Sequence, residues 1–176
     1  MEGEPAWLKE LIRDIPDFPQ LGVVFKDITP LLASGPALSW CVKALIDPFA
    51  DRSVDKVIGV EARGFIIAAP VAVGLGAGFV PVRKAGKLPW HVHIENYELE
   101  YRVDTLEIHR DALQPGERVL IIDDVLATGG TAAATARLAL ALGAEVVGFG
   151  CVIELDFLGG RGKLDGLNIV SLVNYG

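Results

Sequence analysis

The sequence predicts an α/β fold, a parallel sheet with helices on both faces. Three observations carry that expectation. Apolar strand-like runs alternate with helix-like runs from Val57 onward, the pattern of a sheet buried on both sides. One of these runs, Val119–Ile122, leads through two adjacent acids and a small glycine-containing turn into an Ala-rich stretch. Ligands of parallel sheets sit at such C-terminal strand ends. Finally, 176 residues, 51% of them hydrophobic and 22% charged, suffice for one domain with a sizeable core.

In chain order, Trp7, Leu8, Leu11, Ile12 and Ile15 recur at helical spacing between Pro5 and Pro16, which predicts a first helix ended by the second proline. A loop over residues 17–29 and a helix from about Pro36 to Phe49 follow. Val57–Val60 reads as a strand, Phe65–Val73 as a helix and Phe79–Val82 as a strand. The run from Gly64 to Val82 carries no charge and reaches membrane-spanning length. Its Pro70, Pro81 and four glycines fit a helix, a turn and a strand better than one spanning helix. The segment from Lys84 to Asp111 is polar, and Thr105–His109 alternates like a solvent-facing strand. A long polar excursion from a compact sheet suggests a lid or hairpin over a site. Val119–Ile122 is the next strand, Thr131–Leu142 a helix, Val146–Ile153 a strand and Ile169–Val173 a last strand. No internal repeat or low-complexity segment is visible.

A formal net charge of −7 argues against a nucleic-acid coat and against acidic membrane surfaces. A polyanionic substrate must then be held by a local basic cluster. Cys41 and Cys151 form no CxxC pair and read as buried thiols of a reducing cytosol. The acidic Met1–Glu4 start is unlike a secretion signal, so a cytoplasmic location is expected.

The chemistry is concentrated in residues 119–131. A strand that delivers its C-terminal end into the turn Ala127-Thr128-Gly129-Gly130-Thr131, and from there into a helix, builds an anion site. The turn's N–H groups converge, and the helix dipole favours a phosphate. Asp123 and Asp124 would repel that phosphate unless they serve another purpose, such as accepting hydrogen bonds from a sugar diol or helping to hold a divalent metal. Phosphate, diol and metal together point to a phosphorylated ribose. The stretch is not a Walker A loop, lacking Gly-Lys-Ser/Thr at the required spacing. Nor do Gly74, Gly76 and Gly78 complete a dinucleotide fingerprint. Arg63, in Glu61-Ala62-Arg63-Gly64-Phe65, and the cations Arg83, Lys84 and Lys87 fall at ends of the neighbouring strands, where they can bind a pyrophosphate. Val23, Val24 and Phe25, followed by Lys26, read by themselves as apolar residues that pack on the core. Two histidines, His91 and His93, are too few for a zinc site and read as an exposed loop pair.

The wording Asp-Asp-x-Leu-Ala-Thr-Gly-Gly-Thr at residues 123–131 resembles the signature of type I phosphoribosyltransferases that binds 5-phosphoribosyl 1-pyrophosphate (PRPP), in particular the adenine branch. Phe18-Pro19-x-x-Gly22-Val23-Val24-Phe25-Lys26-Asp27-Ile28-Thr29 and Tyr97-Glu98-Leu99-Glu100-Tyr101 are similar to two further motifs of that branch. Many relatives carry Arg where this chain has Lys26, and Arg102 stands where the family's lid motif usually has Gly. The resemblance implies a small N-terminal hood (residues 1–35) whose Val23, Val24, Phe25 and Lys26 cover the base, sandwiching its flat ring while their backbone reads its edge, and a flexible lid (84–111) on a single domain (1–176). It implies transfer of phosphoribosyl from PRPP to adenine, giving AMP and pyrophosphate, with Mg²⁺ held mainly by substrate and in part by Asp123 and Asp124. It further implies that Glu100 is an acid/base near the purine, that Tyr101 lies over the sugar, that a non-proline cis peptide precedes Arg63, and that the enzyme is a homodimer. The alternatives are a sibling acting on xanthine, hypoxanthine or guanine, and a non-catalytic PRPP-sensing regulator. Regulators of that kind usually carry a DNA-binding domain and a basic face, and 176 residues at −7 offer neither.

Overall fold

The computed structural model describes residues 5–99 and 102–176. Its centre is a seven-stranded sheet of β3 (Lys56–Val60), β4 (Gly78–Lys84), β5 (Val92–Leu99), β6 (Arg102–His109), β7 (Arg118–Leu126), β8 (Glu145–Leu155) and β9 (Ile169–Tyr175). The spatial order is β5-β6-β4-β3-β7-β8-β9. β4, β3, β7, β8 and β9 run parallel. β6 lies antiparallel to both β4 and β5, so the sheet is mixed at that edge.

Period-two alternation sorts the central strands into two cores. From β7, Val119 and Ile121 face one layer while Leu120 and Ile122 face the other. The first layer is closed by α5 (Gly130–Ala141), through Ala134, Leu138 and Ala139. The second is closed by α3 (Gly35–Ile46) and α4 (Arg63–Leu75), through Cys41, Leu45, Ile67 and Val71. Among the described residues no helix is long and apolar enough to cross a membrane. The uncharged run 64–82 divides into α4 and most of β4, with Gly76 turning between them at φ 65°. Gly74, Gly76 and Gly78 thus end a helix and begin a strand, the reverse of a dinucleotide turn.

Three sequence expectations are corrected. The first helix, expected to run to Ile15, is only α1 (Ala6–Lys9). The chain then turns into β1 (Arg13–Pro16), which pairs antiparallel with β2 (Val24–Asp27) inside the expected loop. So short a helix gains little cooperativity. Leu8 and Ile12 are buried in the second core all the same, which explains why their spacing looked helical. A short α2 (Thr29–Ala33) follows, where the Asp27 carboxylate accepts from Thr29 N (2.9 Å) and Thr29 Oγ (2.8 Å). Finally, β6 is not a solvent-facing strand. Leu106 and Ile108 are buried in the first core, and Glu107 on the other face is buried where its carboxylate accepts from Gly86 N (3.0 Å).

Candidate active site

Three parallel strands finish side by side, and each contributes a different chemical group. β3 ends at Val60 and enters a turn that leads into α4 at Arg63, with Glu61–Ala62 a non-proline cis peptide. β4 ends in Arg83 and Lys84. β7 carries Asp123 and Asp124 within the strand rather than after it, and ends at Leu126. Their ends surround a cavity of about 700 Å³.

Residues 127–132 form one wall. Gly129 takes φ +76° at the start of α5, and no side chain caps that helix. The first N–H groups of α5 have no acceptor within the helix, so they and the helix dipole are available to an anion. Thr131 Oγ donates to Tyr97 Oη (3.2 Å) and thereby ties this wall to β5.

Asp123 and Asp124 form the floor, each less than a tenth exposed. Asp123 Oδ1 accepts from Asp124 N (2.9 Å). Burial, with the Asp124 carboxylate beside it, raises the Asp123 pKa well above the usual carboxylate range. Arg63 Nε stands 2.5 Å from Asp124 Oδ2, yet that oxygen has no aligned hydrogen-bond donor among the described residues. The ion pair with Arg63 offsets the burial of this carboxylate, and a sugar hydroxyl or a metal would compete with Arg63 for it. The Arg63 guanidinium also lies 4.7 Å from the centre of the Phe25 ring, so one cation touches both the floor and the hood.

The opposite wall is cationic and crossed by acids. Lys84 Nζ pairs with Asp104 (3.3 Å) and Lys87 Nζ with Glu61. Glu61 also accepts from Arg83 Nε (3.3 Å) and Lys84 N (3.1 Å). Burial opposes charge on Glu61, but these donors outweigh it and hold its carboxyl below the ordinary range. Glu61, Tyr97 and Asp104 line the cavity, and the sequence reading assigned none of them a role. The signals in the sequence are the position of Glu61, one residue past a buried strand and two before Arg63, and that of Tyr97 at the head of the Tyr97–Tyr101 motif.

The structure brings Arg63, Lys84, Lys87, Asp123, Asp124 and residues 127–131 into one cavity. Arg83 is not on its wall: it grips Glu61 and donates from Nη1 to the Lys87 carbonyl (3.1 Å), bracing the turn. Of the hood residues, Phe25 meets Arg63, while Lys26 pairs with Asp14 (2.7 Å) and lies 4.0 Å from the centre of the Tyr175 ring. Val23 and Val24 sit beside Phe25, Val24 half exposed in β2. Glu100 and Tyr101 lie outside the described residues. Arg102 starts β6, opposite Leu99. His93 belongs to β5, not to a loop, and no three His, Cys, Asp or Glu side chains among the described residues converge as metal ligands.

This geometry has close counterparts. The family profile "Phosphoribosyl transferase domain" matches residues 33–166. The chain is 55% identical over 168 residues to an adenine phosphoribosyltransferase from Acaryochloris marina, covering 96% of this chain and 99% of that protein. It superimposes with a TM-score of 0.93 on the crystal structure of adenine phosphoribosyltransferase from Rhodothermus marinus, at 50% identity, covering 96% of this chain and 97% of that one. The Saccharomyces cerevisiae enzyme, complexed with adenine and an imino-altritol bisphosphate, matches at TM-score 0.89 and 39% identity, covering 94% and 96% of the two chains.

Proposed function

The chain belongs to the phosphoribosyltransferase family, among its adenine phosphoribosyltransferases, and from that premise we propose how its cavity carries out the reaction. The enzyme transfers 5-phosphoribosyl from PRPP to adenine, giving AMP and pyrophosphate in purine salvage. One observation carries the assignment of parts. The uncapped start of α5, two buried acids and a cationic wall share a single cavity.

Residues 127–131 hold the 5′-phosphate through backbone N–H groups. Asp123 and Asp124 accept from the ribose hydroxyls and favour positive charge on the sugar carbon as the leaving group departs. Arg63, Lys84 and Lys87 face the departing pyrophosphate, and Arg83 fixes their turn from behind. To do so, Lys84 and Lys87 exchange Asp104 and Glu61 for phosphate oxygens. With both ends of PRPP held, the reacting carbon is fixed in line for attack by the purine. Val23, Val24 and Phe25 cover the base. β2 is one strand of a two-stranded sheet, so its outer edge keeps backbone groups for an N1 acceptor and an N6 donor. Glu100 manages a proton on the purine, and Tyr101 covers the sugar. The 84–111 segment acts as a lid that excludes water, and residues 1–35 act as the hood of one domain.

The two buried carboxylates at the floor, Asp123 and Asp124, would be the chain's contribution to a magnesium ion bound chiefly through PRPP oxygens. Such an ion supplies charge neutralisation on the pyrophosphate. The enzyme acts as a cytoplasmic homodimer in this reading. Both cysteines are buried free thiols, and α4 turns an uncharged face outward at Ile66 and Val73, 47% and 81% exposed, of the kind a second copy covers.

The test is to incubate enzyme, adenine and PRPP with and without Mg²⁺ and measure both products. The expected result is AMP and pyrophosphate in equal amounts, lost on chelation and restored by Mg²⁺. Pyrophosphate release without AMP would contradict the reading.

A further inference from the structure

The wall that grips the 5′-phosphate is itself pressed from behind. A Cβ at Gly129 would collide with the Gly160 carbonyl oxygen, and a Cβ at Gly160 would collide with the Ala127 carbonyl oxygen. Two backbones therefore meet directly, without side chains between them to absorb movement. The next residue, Arg161, is locked. Its Nε donates to Glu154 Oε1 (2.8 Å) and its Nη2 to Glu154 Oε2 (2.5 Å). Ser171 Oγ on β9 donates to the same carboxylate (2.6 Å). Glu154 is 3% exposed, and on β8 it lies opposite Leu126, the last β7 residue before the phosphate loop. A buried carboxylate held by a guanidinium fork and a hydroxyl is a geometrically specific anchor. Neither Glu154 nor Arg161 lines the cavity.

We propose that Arg161, held by Glu154, is a positioning residue for the 5′-phosphate loop. The pair fixes the Gly160 backbone behind residues 127–129, so the loop's N–H groups are aimed before the sugar phosphate arrives. This rests on the assignment of residues 127–131 to the 5′-phosphate. The ligand affected is the phosphate monoester of the ribose, not the base and not the leaving group.

The test uses Arg161→Gln, Arg161→Lys, Glu154→Gln and the milder Ser171→Ala. The readouts are kcat, KM for PRPP and adenine, and direct binding of two probes, ribose 5-phosphate and pyrophosphate. Arg161→Gln is expected to raise the PRPP KM and the ribose 5-phosphate Kd about tenfold, roughly the effect of one good hydrogen bond to a charged group. The adenine KM and pyrophosphate Kd should move less than twofold. Lysine at 161 should restore part of the loss, and the Glu154→Gln/Arg161→Gln double variant should be no worse than Arg161→Gln alone. Should the 161 variants fail to fold, Ser171→Ala is expected to show the same selectivity at two- to threefold. Equal weakening of both probes, or an unchanged PRPP KM, would overturn the proposal. A wild type that binds pyrophosphate but not ribose 5-phosphate would instead remove the loop assignment beneath it.

Discussion

The wall proposed to hold the phosphate and the hood proposed to cover the base are built in opposite ways. The wall is a strand–turn–helix unit in which β7 and the inner face of α5 are buried and the turn is backed by a second backbone at Gly160. The hood, which meets the cavity through Arg63, is two-stranded, and its Phe18, Leu21 and Val24 are 51%, 88% and 50% exposed. It is fastened to the rest of the chain by such contacts as Phe25 on Arg63 and Lys26 on Tyr175. The strand–turn–helix wall is therefore set by folding itself, whereas the hood presents an apolar surface open to a further contact. One residue, Arg63, touches both.

The largest effect should come from the floor of the rigid end. Asp124→Asn keeps the shape but removes the charge proposed to favour a cationic sugar carbon, and is expected to lower kcat about a hundredfold or more. Steady-state assays beside circular dichroism check this; near-normal turnover would contradict the assigned role. Next, Gly129→Ala forces a side chain into φ +76° and against the Gly160 carbonyl. It should cost about 1–3 kcal/mol of stability and raise the PRPP KM far more than the adenine KM. At the soft end the pattern should invert. Phe25→Ala is expected to raise the adenine KM about tenfold, the scale of a lost aromatic contact, with a smaller change for PRPP and little change in melting temperature. Equal effects of the Gly129 and Phe25 variants on both substrates would erase the contrast between the two ends.

The smallest effect concerns pH. The raised pKa of Asp123 means that the folded protein binds this proton more readily than the unfolded chain. Stability from this group is present in full below the unfolded value near 3.8 and falls as pH rises through the folded pKa. Asp123→Asn should therefore melt higher than wild type at neutral pH and lose that advantage near pH 3.8. Glu61 and Glu154 act in the other direction, their lowered pKa values adding stability above about 4.5 that acid removes. A constant offset between the Asp123→Asn and wild-type melting curves across pH would show that Asp123 is not the titrating group.

The same contrast decides what could be read in advance. The phosphate end was legible because its chemistry is local: thirteen consecutive residues, 119–131, contain the strand, both acids, the turn and the helix start. The sheet's parallel core was legible for the same reason, in runs such as Val57–Val60. What failed to show depends on pairing across distance. Leu8 and Ile12 share a helix-like spacing because α1 and the bend after it turn both into one core, and the Glu107 face of β6 reads as exposed until the Gly86 turn closes on it. Glu61 reads as an ordinary acid until Arg83, Lys84 and Lys87 close around it. Arg161 reads as a surface charge until the chain returns it to Glu154.

In the proposed function a hood built from Val23–Lys26 selects adenine, while the rigid wall serves any base alike. It is tested most directly by kcat/KM for adenine, hypoxanthine, guanine and xanthine with PRPP and Mg²⁺, in wild type and Phe25→Ala side by side. Wild type is expected to prefer adenine by about two orders of magnitude or more, and the variant to lose turnover of adenine while its PRPP constants hold. Comparable turnover of a 6-oxopurine by the wild type, or a Phe25 variant impaired equally toward PRPP, would contradict it.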